Sequence, residues 1–192
     1  MKKLFFIAAM MVATLSANAQ NEVGQWSIKP MAGVNLATIT KADGAKMRVG
    51  LAAGAEFAVG AAENFEISFG ALYSMQGAKY KEGDFKSTEK LDYINIPILA
   101  NYYVAPGLAI KAGVQPGFNV KKKYKDEEGG KTYEGDMDGT KGFALSVPVG
   151  LSYEIGGIVI DARYNWGLTK VWKDEDYKHS YFTFTLGYKL PF

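Results

Sequence analysis

In the last eleven residues, Phe182-Thr183-Phe184-Thr185-Leu186-Gly187-Tyr188-Lys189-Leu190-Pro191-Phe192, every even-numbered side chain is apolar and the odd ones are mostly small or polar. Successive side chains on a strand point to opposite faces, so alternation of this length describes a β-strand with one oily face. The stretch ends on an aromatic, and no later segment is expected to cover that face. Lipid is the natural cover, in a barrel whose strands alternate apolar-out and polar-in.

The same period of two recurs along the chain in eight segments. The first, Trp26 to Ile39, sets Trp26, Ile28, Val34 and Leu36 against Ser27, Lys29, Gly33 and Asn35. The second, Arg48 to Val59, sets Val49, Leu51, Ala53, Ala55, Phe57 and Val59 against Arg48, Gly50, Gly54 and Glu56. The others are Phe65 to Tyr80, Leu91 to Val104, Leu108 to Tyr124, Gly142 to Ile155, Ile158 to Trp172 and the terminal stretch. An even count permits closure of an antiparallel sheet. The expected fold is all-β: an eight-stranded antiparallel up-and-down transmembrane β-barrel.

Three connections are short: Gly60 to Asn64, Ala105-Pro106-Gly107 and Gly156-Gly157. Short turns belong on the periplasmic side of such barrels, which puts the longer Lys41 to Met47, Lys81 to Lys90, Lys125 to Lys141 and Lys173 to His179 outside. Aromatics at strand ends are expected to form interface girdles: Trp26, Tyr80, Tyr102, Tyr124, Tyr153, Trp172, Tyr181, Tyr188 and Phe192. Pro30, Pro97, Pro116 and Pro148 fall inside strands of a sheet without edges, and bulges or kinks are expected there.

At the start, Met1-Lys2-Lys3 leads into an apolar run, Leu4 to Leu15, followed by Ala17-Asn18-Ala19. This is the pattern of a secretory signal, expected to be cleaved after Ala19. The run is shorter than the roughly 20 apolar residues of a spanning helix. One domain, residues 20–192, then remains. It is formally neutral, with 20 acidic residues matched by as many basic ones once Lys2 and Lys3 leave. Neutrality argues against a nucleic-acid partner, which needs a basic surface to displace counterions. The absence of Cys removes disulfides and thiol chemistry.

The stretches Tyr93-Ile94-Asn95-Ile96-Pro97, Asp161-Ala162-Arg163-Tyr164-Asn165-Trp166-Gly167-Leu168 and Leu186-Gly187-Tyr188-Lys189-Leu190-Pro191-Phe192, in this order, resemble the small porin-like outer-membrane β-barrel family that includes the PorT-like proteins. The resemblance spans essentially the whole mature chain and implies an eight-stranded barrel in the outer membrane of a Gram-negative cell. Asn95 stands where that family commonly carries Glu, so no carboxylate role is carried over to it. Tyr188, Leu190 and Phe192 then form a C-terminal assembly signal, with the barrel-assembly machinery and periplasmic chaperones as partners during biogenesis.

With the polar face turned inward, Lys29, Glu56, Glu66, Lys111, Glu154, Asp161, Arg163 and Lys189 gather in the lumen, four of each sign. Side chains fill an eight-stranded barrel, and buried charges are tolerated when paired. A salt-bridged plug is expected, with a narrow pore as the alternative. Lys121, Lys122, Lys123 and Lys125 could grip lipopolysaccharide phosphates, or could form a solvated loop balanced by Asp126, Glu127 and Glu128. His179, beside Ser180, could in principle serve acyl transfer on lipid, but neighbours on a strand point apart and share no proton easily, so it is read as a solvated loop residue. Asp174, Glu175 and Asp176 could orient it. Asp136-Met137-Asp138-Gly139 lacks the further acids of a calcium loop.

No metal or cofactor is expected. The leading reading is a non-enzymatic, monomeric outer-membrane barrel with outer-membrane lipid as partner, serving a structural, adhesive or assembly-associated role. A small porin for a solute and a secreted lipocalin-like barrel are the alternatives. The last requires the oily residues to point inward.

Overall fold

The computed structural model describes residues 21–40, 44–83, 85–172 and 177–192, and among them every regular element is a β-strand. The expected signal, residues 1–19, lies outside them. The strands are β1 (Trp26–Thr40), β2 (Lys46–Ala62), β3 (Phe65–Gln76), β4 (Ala78–Glu82), β5 (Phe85–Asn95), β6 (Ile98–Ala105), β7 (Leu108–Glu128), β8 (Lys131–Asp136), β9 (Phe143–Ile155), β10 (Ile158–Lys170), β11 (Lys178–Tyr188) and β12 (Leu190–Pro191).

All ladders are antiparallel, and the sheet closes on itself. β1 pairs with β2 from Trp26↔Val59 to Ala37↔Arg48, and on its other side with β11 from Met31↔Gly187 to Thr40↔Lys178. Between these ends the order runs through β3, then β5 and β6, then β7, β9 and β10. The expected short turns are present after β2, β6 and β9.

There are twelve strands where the alternation led us to expect eight. Gly77, at φ 115°, ends β3, and β4 continues beyond it along the same neighbour, β2. The pair Ile96 and Pro97 divides β5 from β6, although Ile96 N donates to Pro116 O at 2.8 Å and Gly70 N to Pro97 O at 3.1 Å. Residues 137–142 divide β8 from β9, and Lys189 divides β11 from β12.

Of the bulges or kinks expected at the prolines, no bulge is present, and the strand is interrupted at Pro97. The register shifts lie at Gly60/Ala62, Asp92/Tyr93, Tyr103/Ala105 and Trp166/Lys170, none of them at a proline. Pro30 instead leaves a gap in the β1 ladder opposite Tyr188, and pairing resumes in unchanged register at Ile28↔Leu190. Pro148 does the same opposite Gly113 in the β7–β9 ladder. Each lacks an N–H, and the flanking residues hold the register.

Two of the expected outer loops are strands. Lys81 to Lys90 lies mostly in the β4–β5 hairpin, which turns at Gly83, and Lys125 to Lys141 contains the β7–β8 hairpin, which turns at Gly129 and Gly130. β5 pairs with β7 up to Lys86↔Glu127, so β4, β5, β7 and β8 form a ribbon that continues the wall outward. These strands carry polar residues on both faces, and a period of two in hydrophobicity cannot register them. Of the other two loops, residues 41–43 and 173–176 lie outside the described residues.

The faces sort as the alternation requires. Phe57, Ile67, Leu151 and Ile160 are 37%, 42%, 52% and 56% exposed on the outer wall, whereas Arg163 and Asp161 are 3% and 1% exposed inside. Trp26, Tyr102, Tyr153 and Phe192 face outward at strand ends. Tyr181 does not: it is buried in the interior. Tyr80 and Trp172 also leave the expected girdle. They pack against a buried apolar cluster of Ile39, Ala78, Leu91, Tyr93 and Val171 inside the outer mouth.

Candidate functional site

The interior is a column of polar layers, built from residues that alternate inward on each strand. In the layer nearest the short turns, Lys189 Nζ reaches Glu66 Oε1 at 2.7 Å, Tyr103 Oη at 3.2 Å and Glu154 Oε2 at 3.3 Å. Asn21 N donates to the same Glu66 oxygen at 2.6 Å, which ties the start of the described chain into the lumen.

Above it lies a five-membered ionic layer contributed by β1, β2, β7 and β10. Arg163 grips Asp161 with two bonds, Nε to Oδ1 at 2.6 Å and Nη2 to Oδ2 at 2.8 Å. Its Nη1 meets Glu56 Oε1 at 2.5 Å. Lys111 Nζ approaches Asp161 Oδ2 at 2.6 Å, and Lys29 Nζ approaches Glu56 Oε2 at 2.8 Å. This layer holds three cations and two carboxylates, the lower one a single cation and two carboxylates, so their excess charges are opposite in sign. All eight residues are buried. Between the layers is a cavity of about 30 Å³ lined by Lys29, Glu56, Glu66, Lys111, Glu154 and Lys189. That is room enough for ordered water among these polar groups.

A neutral network follows toward the outside. Thr183 Oγ1 donates to Asn35 Oδ1 at 2.8 Å, Asn35 Nδ2 to Ser74 Oγ at 2.8 Å, and Gln115 Nε2 and Asn95 Nδ2 to Tyr181 Oη at 2.6 and 3.1 Å. Tyr181 thus sits at the junction of two amides, which is why a tyrosine placed on an inward parity is buried. Higher still, Arg48 Nη1 lies 3.3 Å from Asp92 Oδ1, and Tyr73 Oη donates to Asp92 Oδ2 at 2.8 Å. The apolar cluster around Leu91 and Tyr93 lies at the outer end of the column.

Sequence reasoning missed the Arg48–Asp92 pair. Arg48 falls on the polar face of its segment, but Asp92 lies between two inward apolar residues and is fully buried beside the register shift at Asp92/Tyr93, where β7 carries one extra residue. Nothing in the hydrophobic pattern announces that shift.

His179 is a correction of another kind. It belongs to β11, is buried, and places Nε2 3.0 Å from Tyr93 Oη with the rings edge to face at 5.1 Å. The inward parity of β11 carries it under the apolar cluster. Ser180 points outward to Tyr164 Oη at 2.9 Å, so the two share no proton. Asp174, Glu175 and Asp176 lie outside the described residues.

The lysine run is strand, not loop, and its members diverge. Lys122 Nζ donates to Thr140 O at 3.1 Å, Lys121 Nζ lies 3.9 Å from Asp92 Oδ2, Lys123 Nζ 4.0 Å from Asp136 Oδ1, and Lys125 pairs with Glu127. At the chain end, Phe192 N donates to Trp26 O at 2.8 Å, with Phe192 exposed and Tyr188 and Leu190 half-buried. Among the described residues no group of three His, Cys, Asp or Glu side chains is placed to hold a metal ion.

The profile of a protein family described as "Outer membrane protein beta-barrel domain" matches residues 18–173. Among solved structures, the chain is similar to Ail, the attachment invasion locus protein of Yersinia pestis. Identity is 17% over 88% of this chain and 100% of that one, at a TM-score of 0.50. The complex of Ail with the heparin analogue sucrose octasulfate aligns at 16% identity with the same coverages and a TM-score of 0.52. Neisserial surface protein A aligns at 15% identity over 87% of this chain and 97% of that one, with a TM-score of 0.46. No curated protein matches the chain. The likeness to Ail shows a shared fold.

Proposed function

This chain belongs to the outer membrane protein β-barrel domain family, and from that premise we propose that it crosses the outer membrane as an eight-staved up-and-down barrel with a sealed interior. Its role in the envelope is non-enzymatic: structural, adhesive or assembly-associated. The count of eight follows from treating interrupted strands as single staves. β5 and β6 pair with the same two neighbours, β3 and β7, while β11 and β12 share one register against β1. β8 and β9 both lie along β7, and β4 continues β3 beyond Gly77.

The observation that carries the sealed interior is Arg163 holding Glu56 and Asp161 at once, with Lys29 on Glu56 Oε2 and Lys111 sharing Asp161 Oδ2. Buried charges persist only when paired and hydrogen-bonded, and an eight-staved barrel is just wide enough for side chains to fill it. A soluble ligand-binding barrel needs the reverse arrangement, with Phe57, Leu151 and Ile160 inward. The adhesive reading draws on the outward-projecting ribbon and on the likeness in fold to a protein named for attachment.

On this reading residues 1–19 are a cleaved export signal. Tyr188, Leu190 and Phe192 are recognised by periplasmic chaperones and the assembly machinery, and the mature barrel is a monomer surrounded by outer-membrane lipid that includes lipopolysaccharide. Planar-bilayer recording of the refolded mature chain tests the seal. Silence at moderate voltage is expected, and a steady open conductance would replace the plug with a pore.

A further inference from the structure

At the outer end of the sheet, lysine stands opposite lysine. Lys46 faces Lys79 between β2 and β4, Lys81 faces Lys86 between β4 and β5, and Lys90 faces Lys123 between β5 and β7. Like charges directly opposite destabilise a ladder, so three such pairs in adjacent ladders require a counter-charge. β8 supplies part of it, with Glu134 Oε1 2.9 Å from Lys90 Nζ and Asp136 Oδ1 4.0 Å from Lys123 Nζ. Glu127, already paired with Lys125, stands directly opposite Lys86 on the same face and attracts Lys86 and Lys79 as well, so one carboxylate is shared among three of these lysines.

Alternation decides which way these side chains point. Ala78, Tyr80 and Leu91 turn into the apolar cluster of the mouth, which sends Lys79, Lys81, Lys86 and Lys90 to the outer face. Lys123 and Lys125 share that face through their partners Lys90 and Thr88. Immediately below on β7, Phe118 and Val120 are 50% and 55% exposed, at the top of the apolar belt. The lysines therefore rise from the top of that belt, with Lys90 and Lys123 lowest and Lys81 and Lys86 four ladder positions farther out, along the height that headgroups occupy. Lys122, turned inward to Thr140 O, is not among them.

We propose that Lys79, Lys81, Lys86, Lys90, Lys123 and Lys125 form a wall that binds the phosphates of outer-leaflet glycolipid, with an opposed lysine pair sharing a phosphate. The proposal rests on the outer-membrane reading above. Strand pairing holds opposed Cβ atoms about 5 Å apart, close enough for two flexible ammonium groups to donate charge-assisted hydrogen bonds to one phosphate. The wall joins residues from three separate stretches of sequence, and none of them alone marks the site.

The test refolds the mature chain into phosphatidylcholine vesicles containing phosphorylated lipid A, its dephosphorylated counterpart or neither, and measures retained lipid by energy transfer. Wild type should enrich phosphorylated lipid A, and Lys79→Gln/Lys81→Gln/Lys86→Gln should lose about tenfold or more of that enrichment at low salt. In plain phosphatidylcholine the triple variant should unfold no earlier than wild type, because repulsion has been removed. Lys131→Gln, on the other face of the ribbon, should retain lipid A fully. Equal retention by the triple variant overturns the proposal alone, as does a wall that binds a soluble polysulfate but not lipid A. Failure to insert into any vesicle overturns the outer-membrane reading as well.

Discussion

Lys111 Nζ and Asp161 Oδ2, fifty residues apart in sequence, meet at 2.6 Å inside the closed sheet. Asp161 also receives two bonds from Arg163 and lies 3.7 Å from Lys29 Nζ. Removing its charge leaves Glu56 alone to balance Arg163, Lys29 and Lys111, whereas removing Lys111 leaves Asp161 its bidentate partner. Asp161→Asn should therefore destabilise the barrel by about 3–5 kcal/mol and Lys111→Met by distinctly less. Urea unfolding in vesicles, followed by tryptophan fluorescence, gives the ordering. Equal losses would mean that the lysine, not the guanidinium, anchors the carboxylate.

Closure depends on glycines at inward positions. A Cβ added at Gly54 would sit 2.0 Å from Ala71 O, and one at Gly113 equally close to Ile98 O. No side chain fits there without moving a neighbouring strand, and glycine at such sites lets a barrel wall bend tightly. Gly54→Ala and Gly113→Ala should both slow refolding and lower stability, read from the heat-dependent mobility shift on gels. Gly142→Ala, where nothing lies within 4 Å, should behave as wild type.

On the proposal of a sealed interior, the apolar cluster at the mouth and the ionic layers below it act as separate seals. Leu91 is fully buried in the cluster, and Leu91→Ala should cost about 2–5 kcal/mol. It should leave the bilayer electrically silent, since the layers around Arg163 remain intact. Conductance in Leu91→Ala would show that the upper cluster alone holds the barrel shut.

Glu89 lies in the outward ribbon opposite Tyr124, above the membrane-spanning part of β5. Burial pushes its carboxyl up to about 7, from about 4.3 in an unfolded chain. Between those values the folded state keeps a proton that the unfolded state has released, so stability falls as pH rises through that window and levels off above it. Thermal unfolding of Glu89→Gln should lack this component. The gap between variant and wild type should widen from pH 5 to pH 8 in favour of the variant.

The inward and outward faces were legible in the sequence because lipid and lumen impose a period of two on β1, β2, β9, β10 and β11. All eight charges read as luminal are buried inside, since parity alone decides that. The break at Gly77 and the register shift beside Asp92 were hidden because they depend on local backbone, whereas the interruptions at Pro30 and Pro97 fall where the missing N–H had marked a disturbance. The ribbon was hidden for a different reason. Lys79 to Lys90 and Lys121 to Asp136 are polar on both faces, and only cross-strand registry reveals that Lys81 meets Lys86. His179 and Tyr181 were misplaced because a polar ring on an inward position looks, in one dimension, like a surface residue.

The central claim is that the apolar wall faces acyl chains around a closed ionic core. Trp166 tests it most directly, being 59% exposed at an outward position of β10 and three residues from buried Arg163. With Trp26 and Trp172 replaced by Phe, the fluorescence of Trp166 in vesicles should be quenched by lipids brominated on their acyl chains and spared by aqueous acrylamide. Quenching by acrylamide without any effect of the brominated lipid would contradict the account.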